Sequence, residues 1–446
     1  MSRSLYWIWV SLRIGVGKTD FPSLLEHFGS PEAIYEADAN ELRDYFGDKK
    51  KPLLESLLNK QLDEAYEIES YCAKNHITIL KYSQKGYPKL LTNLKNPPII
   101  LYARGDIADL DSRVSISVVG TRSLSEYGRQ SAYKIGYELA AAGAVVVSGL
   151  ALGIDSVAAC GALDARGRTV AVLGSGLDRI YPAAHKKLAA EVAKKGLILS
   201  EYPPLTAPTR YSFPMRNRII SGLSQGTLIV EAGEGSGALI TAKEAIVQGR
   251  DVYALPGNVG FANAVGTNDL IKSGATAVTC AADILENYRY LYGKELNLSV
   301  LARVSSRSSL KRGALKAHGV DEGVPHVRPR ESQPPRGELS EMLHSVGKLD
   351  GETVKRISGE TEYPMYGESP RIRSAETETK VAEAGIPSHL DPKAAAILRA
   401  MPAGQAVSFE TLCGEGSEAD DVMMMLTLLE IEGLVVTLPG NRYMRK

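Results

Sequence analysis

Residues 113–290 alternate short apolar segments with helical ones, and this alternation constrains the fold more than any other feature of the sequence. Helical periodicity is clearest over Glu126–Ala142 and Ala238–Gln248. Short apolar strands between helices predict an α/β fold with a doubly wound sheet, which binds ligands at the carboxyl ends of its strands. The predicted strands are Ser115–Val119, Ala144–Val147, Thr169–Leu173, Leu197–Leu199, Thr227–Val230, Val252–Ala254 and Ala277–Val278.

The first 70 residues read as helical. Gly15 and Gly17 make a tight turn before an amphipathic helix, and Ser30 caps a second helix that has Pro31 at its first position. Such a glycine-hinged helix pair is similar to SAM and helix-hairpin-helix domains, in which turn amides can face phosphates. A plain helical packing domain is the alternative interpretation of residues 1–70.

The sheet domain is assigned to residues 71–296, with a connector over 71–112 that precedes its core. Proline, serine, glutamate, arginine and glycine dominate residues 297–387, which predicts a disordered linker. The first part of this linker, Leu301–Val320, carries several basic residues and no acidic one. It is therefore either a solvated tail or a contact for a nucleic-acid backbone.

Residues 388–446 have the pattern of a winged helix: two helices, near 392–401 and over 418–432, and then a strand–turn–strand wing. A transcription regulator is therefore one alternative function. From residue 390 onwards there are 5 basic and 8 acidic side chains, and the second helix opens with Glu418-Ala-Asp-Asp. Because these carboxylates would repel DNA phosphates, we expect this domain to contact protein rather than duplex.

Composition excludes several classes of protein. The 52 basic and 52 acidic residues of the 446-residue chain cancel, so bulk charge cannot coat DNA, although a local basic patch remains possible. Four separated cysteines and seven scattered histidines do not predict a zinc site, a disulfide framework or any bound cofactor. No run of about 18 apolar residues and no signal-peptide cleavage site is found, so we expect a cytoplasmic protein without a membrane span.

Two strand ends offer groups that bind anions. Gly120 lets a ligand approach the backbone, and Arg122 adds a guanidinium fork that suits phosphate. Ser148 and Gly149 end the next strand, where the serine either caps the following helix or holds a phosphate oxygen. Asp155 is expected to brace this loop. These loops lack the GxGxxG pattern, so a dinucleotide cofactor is not predicted.

The segment Thr209-Arg-Tyr-Ser-Phe-Pro-Met-Arg-Asn-Arg is the densest in candidate ligands. Basic side chains interleaved with aromatic ones suit a single nucleic-acid strand, with phosphates on the arginines and a base on a ring. The candidates are Arg210, Phe213, Arg216 and Asn217. The alternative is internal: Arg216 and Arg218 would pair with Glu231 or Glu201, and Phe213 would belong to the core.

A glycine-rich loop precedes the helix predicted over Ala238–Gln248, and its Ser236 and Gly237 could form an anion-binding nest. Lys243 on that helix is a further candidate, with a structural role as the alternative. The loop differs from GxxxxGK[ST], so ATP hydrolysis is not implied. No nucleophile–base pair or metal cluster is visible along the chain, which favours binding of a polyanion over catalysis.

Together these motifs resemble the DNA-processing protein A (DprA, or Smf) family. The match covers about residues 70–290 and lies in Gly120-Thr-Arg, Ser148-Gly-Leu-Ala-Leu-Gly-Ile-Asp, Leu173-Gly-Ser-Gly-Leu-Asp, Ser200-Glu-Tyr-Pro-Pro, Phe213-Pro-Met-Arg-Asn-Arg-Ile-Ile-Ser-Gly-Leu-Ser, Val230-Glu-Ala, Ser236-Gly-Ala-Leu-Ile-Thr-Ala and Gly249-Arg-Asp-Val-Tyr-Ala-Leu-Pro-Gly. The resemblance implies an extended Rossmann-like domain that binds single-stranded DNA without catalytic activity. It also implies a homodimer that loads the RecA recombinase during natural transformation.

By the same resemblance, Arg122 and Arg210 hold phosphates and Phe213 contacts a base. The complete set of expected strand-binding residues is Gly120, Thr121, Arg122, Ser148, Gly149, Arg210, Phe213, Arg216, Asn217, Ser236, Gly237 and Lys243. Three positions depart from the family pattern: Leu152 replaces an arginine, Ala159 a histidine and Leu205 a glycine. One positive charge is therefore missing near the rim of the expected site.

An enzyme of the same fold class is the principal alternative. Nucleoside-monophosphate phosphoribohydrolases of the lysine-decarboxylase-like group carry Pro-Gly-Gly-x-Gly-Thr-x-x-Glu. The nearest stretch here is Gly233-Glu-Gly-Ser-Gly, which lacks the glutamate that should follow. The core 113–289 carries 18 basic against 14 acidic residues, so the excess of positive charge is local. This distribution favours a narrow groove for one strand.

Overall fold

The computed structural model describes two stretches of the chain. These are residues 3–321 without 18–19, 48–50, 107, 109, 305–307 and 312, and, of the C-terminal part, 392–402, 406–412, 422, 425–426, 429, 434–438 and 442–445. The chain divides into two compact units, Met1–His326 and Val327–Lys446, which are described separately. Among the described residues, no helix is long and apolar enough to cross a membrane.

Six helices form the N-terminal part of the first unit. They are α1 (Arg3–Ile14), α2 (Phe21–Phe28), α3 (Pro31–Glu36), α4 (Ala39–Phe46), α5 (Lys51–Leu58) and α6 (Asp63–Lys74). The predicted turn and cap are both present: Gly15 and Gly17 have positive φ angles, and the Ser30 hydroxyl accepts a hydrogen bond from the amide of Ala33. The last helix ends four residues beyond the boundary expected at residue 70.

Nine strands make one sheet in the first unit. They are β1 (Thr78–Lys81), β2 (Ile100–Gly105), β3 (Ser115–Val119), β4 (Val145–Ser148), β5 (Thr169–Leu173), β6 (Leu197–Ser200), β7 (Gly226–Ile229), β8 (Asp251–Ala254) and β9 (Thr276–Ala277). The order across the sheet is β1-β2-β6-β5-β4-β3-β7-β8-β9. From β6 to β9 all neighbours are parallel, whereas β2 pairs antiparallel with both β1 and β6. The doubly wound prediction is confirmed, and β1 and β2, which lie in the connector 71–112, extend the sheet.

Helices cover both faces of this sheet. They are α7 (Lys89–Thr92), α8 (Glu126–Ala141), α9 (Ile154–Asp164), α10 (Lys186–Lys195), α11 (Ser212–Gly222), α12 (Gly237–Val247), α13 (Val265–Lys272) and α14 (Ala281–Leu285). Alternate strand residues enter two separate apolar cores: Val146 packs with α8 and α9, whereas Val145 and Val147 pack with α11 and α12. Because parallel strands are buried on both faces, they read as nearly continuous apolar runs.

The first part of the predicted linker is folded. Residues 297–321 include α15 (Ser299–Val304) and α16 (Ala314–Ala317), and Leu315 is buried in the same core as α9. The prediction of disorder from residue 297 is therefore wrong for this stretch, because the apolar Leu315 and Val320 anchor it to the sheet domain. The rest of the predicted linker, from 322 to 387, lies outside the described residues.

The second unit contains α17 (Pro392–Ala400), α18 (Phe409–Leu412) and the strands β10 (Ala406–Ser408), β11 (Val435–Leu438) and β12 (Arg442–Arg445). The three strands form an antiparallel sheet in the order β10-β12-β11, so the predicted wing is present. Most of the second predicted helix lies outside the described residues, Glu418 included. Its described members Val422, Met425, Leu426 and Leu429 are buried at helical spacing.

Candidate nucleic-acid interface

The carboxyl ends of β3, β4, β5 and β7 meet at one edge of the sheet, because these strands are parallel and β3 pairs with both β4 and β7. The chain runs outwards from β3 towards β6 and, after returning, from β7 towards β9. The reversal of strand order between β3 and β7 opens a crevice at that edge, where doubly wound proteins bind ligands. Gly120, Thr121 and Arg122 follow β3 into this crevice.

An exposed cluster of Arg122, Tyr181 and Phe213 lies at this edge. The guanidinium carbon of Arg122 is 5.6 Å from the centroid of the Phe213 ring, and the Tyr181 ring is 5.3 Å from it. Phe213 packs on Gly174 just after β5, where a Cβ would lie 3.1 Å from its ring. Phe213 is half-buried and belongs to neither apolar core among the described residues, so its ring is held in place and still reaches solvent. We refer to these three residues as the arginine–aromatic cluster.

Arg210 and Tyr211 extend the cluster along the loop before α11. The Arg210 guanidinium carbon lies 4.8 Å from the Tyr211 ring centroid, and its Nη2 donates to the Tyr211 hydroxyl at 2.7 Å. Both side chains are exposed, with 68% of Tyr211 accessible. A cation beside an exposed ring gives a nucleotide both a phosphate partner and a stacking surface.

Arg216 lies in the interior, which corrects the prediction that it contacts a nucleic-acid strand. It is 5% exposed, its Nη1 donates to the carbonyl oxygens of Gly149 (2.8 Å) and Val172, and its Nε donates to Asn217 Oδ1 at 3.1 Å. Burial lowers its pKa to about 10, against the opposing effect of Asp155, and the charge of Arg122 lowers it further. Arg216 therefore supports the loops rather than binding a ligand.

The prediction that Ser148 and Gly149 bind the nucleic-acid strand is corrected for the same reason. Ser148 is fully buried, and its hydroxyl accepts a hydrogen bond from the amide of Leu150 at 3.3 Å. A Cβ at position 149 would overlap the Arg216 guanidinium, so glycine is required there. These two residues bring Arg216 close to the strand ends and do not reach the surface.

Asp155 braces the strand ends, as its sequence context predicts. Its Oδ2 accepts the Gly149 amide at 2.8 Å, and the amides of Gly120 and Ala151 also donate to the carboxylate. Burial raises the pKa of Asp155, while the Arg216 charge and these amides act to lower it. One buried carboxylate thus ties together the loops that follow β3 and β4.

Arg218 forms the internal pair that was left open as an alternative. Its Nη2 lies 2.5 Å from Oε2 of Glu201, and its Nη1 donates to the carbonyl of Asn96 at 2.8 Å. Burial raises the pKa of Glu201, and the Arg218 charge opposes that shift. The pair lies beneath Gly17, so it joins the N-terminal helices to α11 and is not available to a ligand.

Glu231 fills the position at which many Rossmann-like proteins bind a nucleotide phosphate. It follows β7, and its carboxylate accepts the Ser125 amide at 2.9 Å and the Ser125 hydroxyl at the N-terminus of α8. A Cβ at Gly128 would overlap this carboxylate. Because a fixed negative charge already satisfies the helix terminus, a phosphate bound there would meet repulsion.

The glycine-rich loop lies on the other flank of the crevice. Ser236 caps α12 by accepting the Ala238 amide at 3.4 Å, and Gly237 is exposed. The amide nitrogen of Asn217 donates to the Gly237 carbonyl at 3.5 Å, which joins this loop to α11. Lys243 lies about two turns into α12 and is half-buried. Among the described residues, no group of three or more His, Cys, Asp or Glu side chains could hold a metal ion.

Comparison with known proteins identifies the family. The model of the DNA recombination-mediator protein A family matches residues 78–289, and that of the DprA winged helix domain matches 381–441. Protein Smf of Synechocystis is 32% identical over 450 residues, which cover 100% of this chain and 99% of that protein. The chain belongs to the DNA recombination-mediator protein A family.

Two further relatives agree with this family assignment. DNA processing protein DprA of Bacillus subtilis is 40% identical over 248 residues, which are 53% of this chain and 84% of that protein. The X-ray structure of DNA processing protein A from Streptococcus pneumoniae is 32% identical and superposes with a TM-score of 0.56, covering 64% of this chain and 98% of that one. The resemblance and the fold class, a Rossmann-like sheet with a winged helix, are confirmed.

The departures of this chain from the family pattern have clear structural settings. Leu205 replaces the usual glycine and has a φ of +68°, in the left-handed region that glycine adopts without strain. Leu152 replaces an arginine and is half exposed, next to Gly153, which packs on the backbone of Thr121 and Arg122. Ala159 is fully buried. Position 152 is thus a rim position where this chain lacks a charge.

The structure brings together only part of the predicted set of ligands. At the surface of this edge Arg122 lies beside Phe213, Gly120 and Thr121 lead into Arg122, and Arg210 is exposed three residues before Phe213. Tyr181 and Tyr211 also lie on this surface, although neither was among the expected ligands. Tyr211 could have been identified from its place between Arg210 and Phe213 in the basic segment, whereas Tyr181 joins the surface only through its contact with Phe213.

Proposed function

We propose that this protein binds single-stranded DNA at the carboxyl edge of its sheet and presents it to a RecA-type recombinase during DNA uptake and recombination. The observation that carries this proposal is the half-buried Phe213 ring, which reaches solvent beside the Arg122 guanidinium and the Tyr181 ring. Aromatic stacking and phosphate contacts together bind a single strand without reading its sequence.

Each residue of the surface would have a defined role. Phe213 stacks on a base, with Tyr181 supporting its ring from the side. Arg122 and Arg210 bind phosphates on either side of that base, and Thr121 adds a hydroxyl near Arg122. Paired bases inside a duplex cannot reach a ring held at the edge of a sheet, so the surface favours single strands.

The proposed partners are those that the family resemblance implies. A recombination mediator has to hold a strand and release it to another protein, which a shallow, exposed surface allows. A homodimer is part of the same proposal. The loop before α13 leaves Val259 and Phe261 exposed, and Val265 at the start of that helix is exposed as well. Neighbouring apolar side chains of this kind are commonly covered by a second protein surface.

The proposal is a binding function without a catalytic step. A phosphoribohydrolase is less well supported because Glu231 already occupies the N-terminus of α8. The two registers of that enzyme motif on this loop place its glutamate at Leu239 or Thr241, so neither supplies a carboxylate. Asp155 is buried among backbone amides and faces Arg216, which leaves it unsuited to accept a proton from a substrate.

Fluorescence polarisation tests this function directly. A labelled oligo-dT and the matching duplex are titrated with the full chain, and nucleoside-monophosphate hydrolysis is assayed in parallel. The proposal predicts tighter binding of the single strand by at least about tenfold, which is 1.4 kcal/mol, with no hydrolysis. Equal affinity for the duplex, or turnover of a nucleoside monophosphate, would refute it.

We further propose that the C-terminal winged helix contacts protein. Its 5 basic and 8 acidic side chains after residue 390 do not suit phosphates. A fragment of residues 388–446 is therefore expected not to bind duplex DNA at physiological salt. Duplex binding by that fragment would overturn this assignment without affecting the proposal for the sheet edge.

A further inference from the structure

A buried histidine clasps the folded part of the linker to α9 and α10. His318 lies after α16; its Nε2 is 2.8 Å from Oδ1 of Asp164, and its Nδ1 is 2.7 Å from Oε2 of Glu191. Because both ring nitrogens face carboxylates, both must donate, so the ring is an imidazolium. The hydrogen bond that His318 donates to Asp164 raises the pKa of His318 against the effect of burial, and Glu191 adds to the rise.

This clasp leaves α10 with an unbalanced outer stripe of lysines. The helix reads KKLAAEVAKK, so Glu191 is its one acidic residue, and that carboxylate is engaged by His318. Lys187, Glu191 and Lys194 are spaced i, i+4 and i+7 and share one side of the helix. Both lysines are exposed, with Lys186 and Lys195 exposed beside them. We call Lys187 and Lys194 the lysine stripe.

The stripe begins next to the arginine–aromatic cluster. Tyr181, whose ring contacts Phe213, is separated from Lys186 at the start of α10 by Pro182 and a single 3₁₀ turn, Ala183–His185. His185 fixes this turn, since its Nδ1 lies 2.9 Å from the Leu150 carbonyl oxygen. Five residues of chain span at most about 17 Å. A strand that leaves the cluster beside Tyr181 would therefore meet α10 within a few nucleotides.

We propose that the lysine stripe is a second contact for the phosphate backbone and receives the strand as it leaves the arginine–aromatic cluster. This inference rests on the proposed binding of single-stranded DNA and adds a path beyond the cluster. The two lysines lie about 10 Å apart along one helix axis, in a single row. One row of point charges follows one backbone, whereas a duplex presents two backbones across a groove about 12 Å wide.

Lysine suits this role better than it suits recognition of a fixed anion. Its ammonium is a mobile point charge on a flexible stem, and it can follow phosphates without a defined geometry. The contact would therefore add affinity for long strands and leave the binding of short ones unchanged. Its contribution should also depend strongly on salt.

Charge reversal tests the stripe. In the full chain, Lys187→Glu with Lys194→Glu is compared with Lys74→Glu and Lys294→Glu, a control of equal charge change. Both control lysines are exposed and belong to other elements, since Lys74 ends α6 before β1 and Lys294 is next to Glu295, which packs on Gly143 before β4. Polarisation is measured on oligo-dT of about six and about 30 nucleotides, which bracket the site sizes common for single strands.

The expected result depends on strand length. The stripe variant should bind the long strand at least about tenfold more weakly than the control, and the slope of log K against log salt should become shallower by about 1.4 for two phosphates. Both variants should bind the short strand as the wild type does. A Lys187→Gln with Lys194→Gln variant should reproduce the effect in weaker form, which keeps the test valid if charge reversal disturbs folding.

Three outcomes would overturn the inference, and they are distinguishable. If the stripe and control variants bind the long strand equally, the lysine stripe is not a DNA contact, and the assignment of the arginine–aromatic cluster is unaffected. A loss of affinity that is confined to duplex DNA would make the lysine stripe a duplex-binding surface instead of a path for a single strand. If the wild type binds neither oligonucleotide, both the role of the lysine stripe and the proposed function are refuted.

Discussion

The Arg122 guanidinium carbon and the Phe213 ring centroid are 5.6 Å apart, although the two residues follow different strands of the sheet. Arg122 leaves the end of β3, whereas Phe213 enters with α11 and packs on Gly174 at the end of β5. A cation at this distance from a ring is weakly attracted to it and keeps its hydrogen-bond donors for other partners. One exposed position thus offers a stacking face and a phosphate donor together.

The Phe213 ring should account for a large share of the affinity for single strands. Replacement Phe213→Ala is expected to weaken binding of oligo-dT by about 1–3 kcal/mol, the usual value for one stacked base. Phe213→Trp should retain binding because it keeps a flat ring. Tyr290→Ala, which removes an exposed ring away from the crevice, serves as the control. Polarisation titrations check this prediction, and equal affinity of Phe213→Ala and wild type would contradict it.

Arg216 should matter for stability and not for the salt dependence of binding. Arg216→Ala leaves Asp155 buried without its charge partner, which typically costs about 3–5 kcal/mol. Arg122→Ala removes an exposed side chain and should change the free energy of unfolding by less than about 0.5 kcal/mol. Thermal unfolding of the two variants measures this contrast. A stably folded Arg216→Ala protein that has lost DNA binding would instead make Arg216 a ligand.

Position 152 allows a gain-of-affinity test. Leu152→Arg restores a charge beside the backbone of Thr121 and Arg122, so it should bind oligo-dT several-fold more tightly than the wild type. The slope of log K against log salt should steepen by about 0.7, as expected for one more phosphate. Leu152→Gln removes the same apolar side chain without adding charge and should show neither change. If both variants behave alike, position 152 does not face the strand.

The His318 clasp should make stability depend on pH. Because the pKa of His318 is raised in the folded protein, the clasp stabilises fully below the ordinary histidine pKa of about 6.5 and weakens as pH rises through the folded value. Burial acts to raise the pKa of Asp164, but hydrogen bonds from His318 and Tyr133 outweigh it, and the net shift is downward. The stability that ionised Asp164 contributes is therefore lost only as the pH falls through its lowered pKa.

The measurement is the free energy of unfolding of His318→Gln relative to wild type at about pH 6 and about pH 9. We expect the larger loss of stability at the lower pH, of about 1.5–3 kcal/mol, the usual range for hydrogen bonds to charged groups. Besides Asp164 and Glu191, the neighbouring groups that carry charge or titrate are Tyr133, which bonds Asp164, and Lys187 and Lys195. A deficit that grows with pH would show that the ring is neutral in the folded protein.

The fold could be predicted from the sequence because its strands are short, apolar and buried on both faces. Two strands, Ser115–Val119 and Thr169–Leu173, lie over the predicted residues, and each of the others differs by one residue at one or both ends. The prediction of disorder was wrong for residues 297–321, because composition does not reveal individual buried residues such as Leu315 and His318. Each of these depends on a partner far away in the chain, in the core or on α9 and α10.

The candidate site was only partly predictable. Arg122 and Phe213 could be chosen because strand ends of parallel sheets meet at one edge. Arg216 could not be separated from Arg210, since both stand in the same basic segment and only the helical phase of α11 turns Arg216 inwards. Tyr181 belongs to the surface through its contact with Phe213, and no local pattern reports a contact between distant loops.

The salt dependence of oligo-dT binding tests the central claim most directly. The double variant Arg122→Ala with Arg210→Ala is compared with wild type and with Arg289→Ala, which removes an exposed arginine that also lies beside a tyrosine ring. If the two arginines bind phosphates, the double variant binds more weakly and its slope of log K against log salt is shallower by about 1.4, while Arg289→Ala behaves as wild type. An unchanged affinity and slope in the double variant would contradict the assignment of the DNA-binding surface.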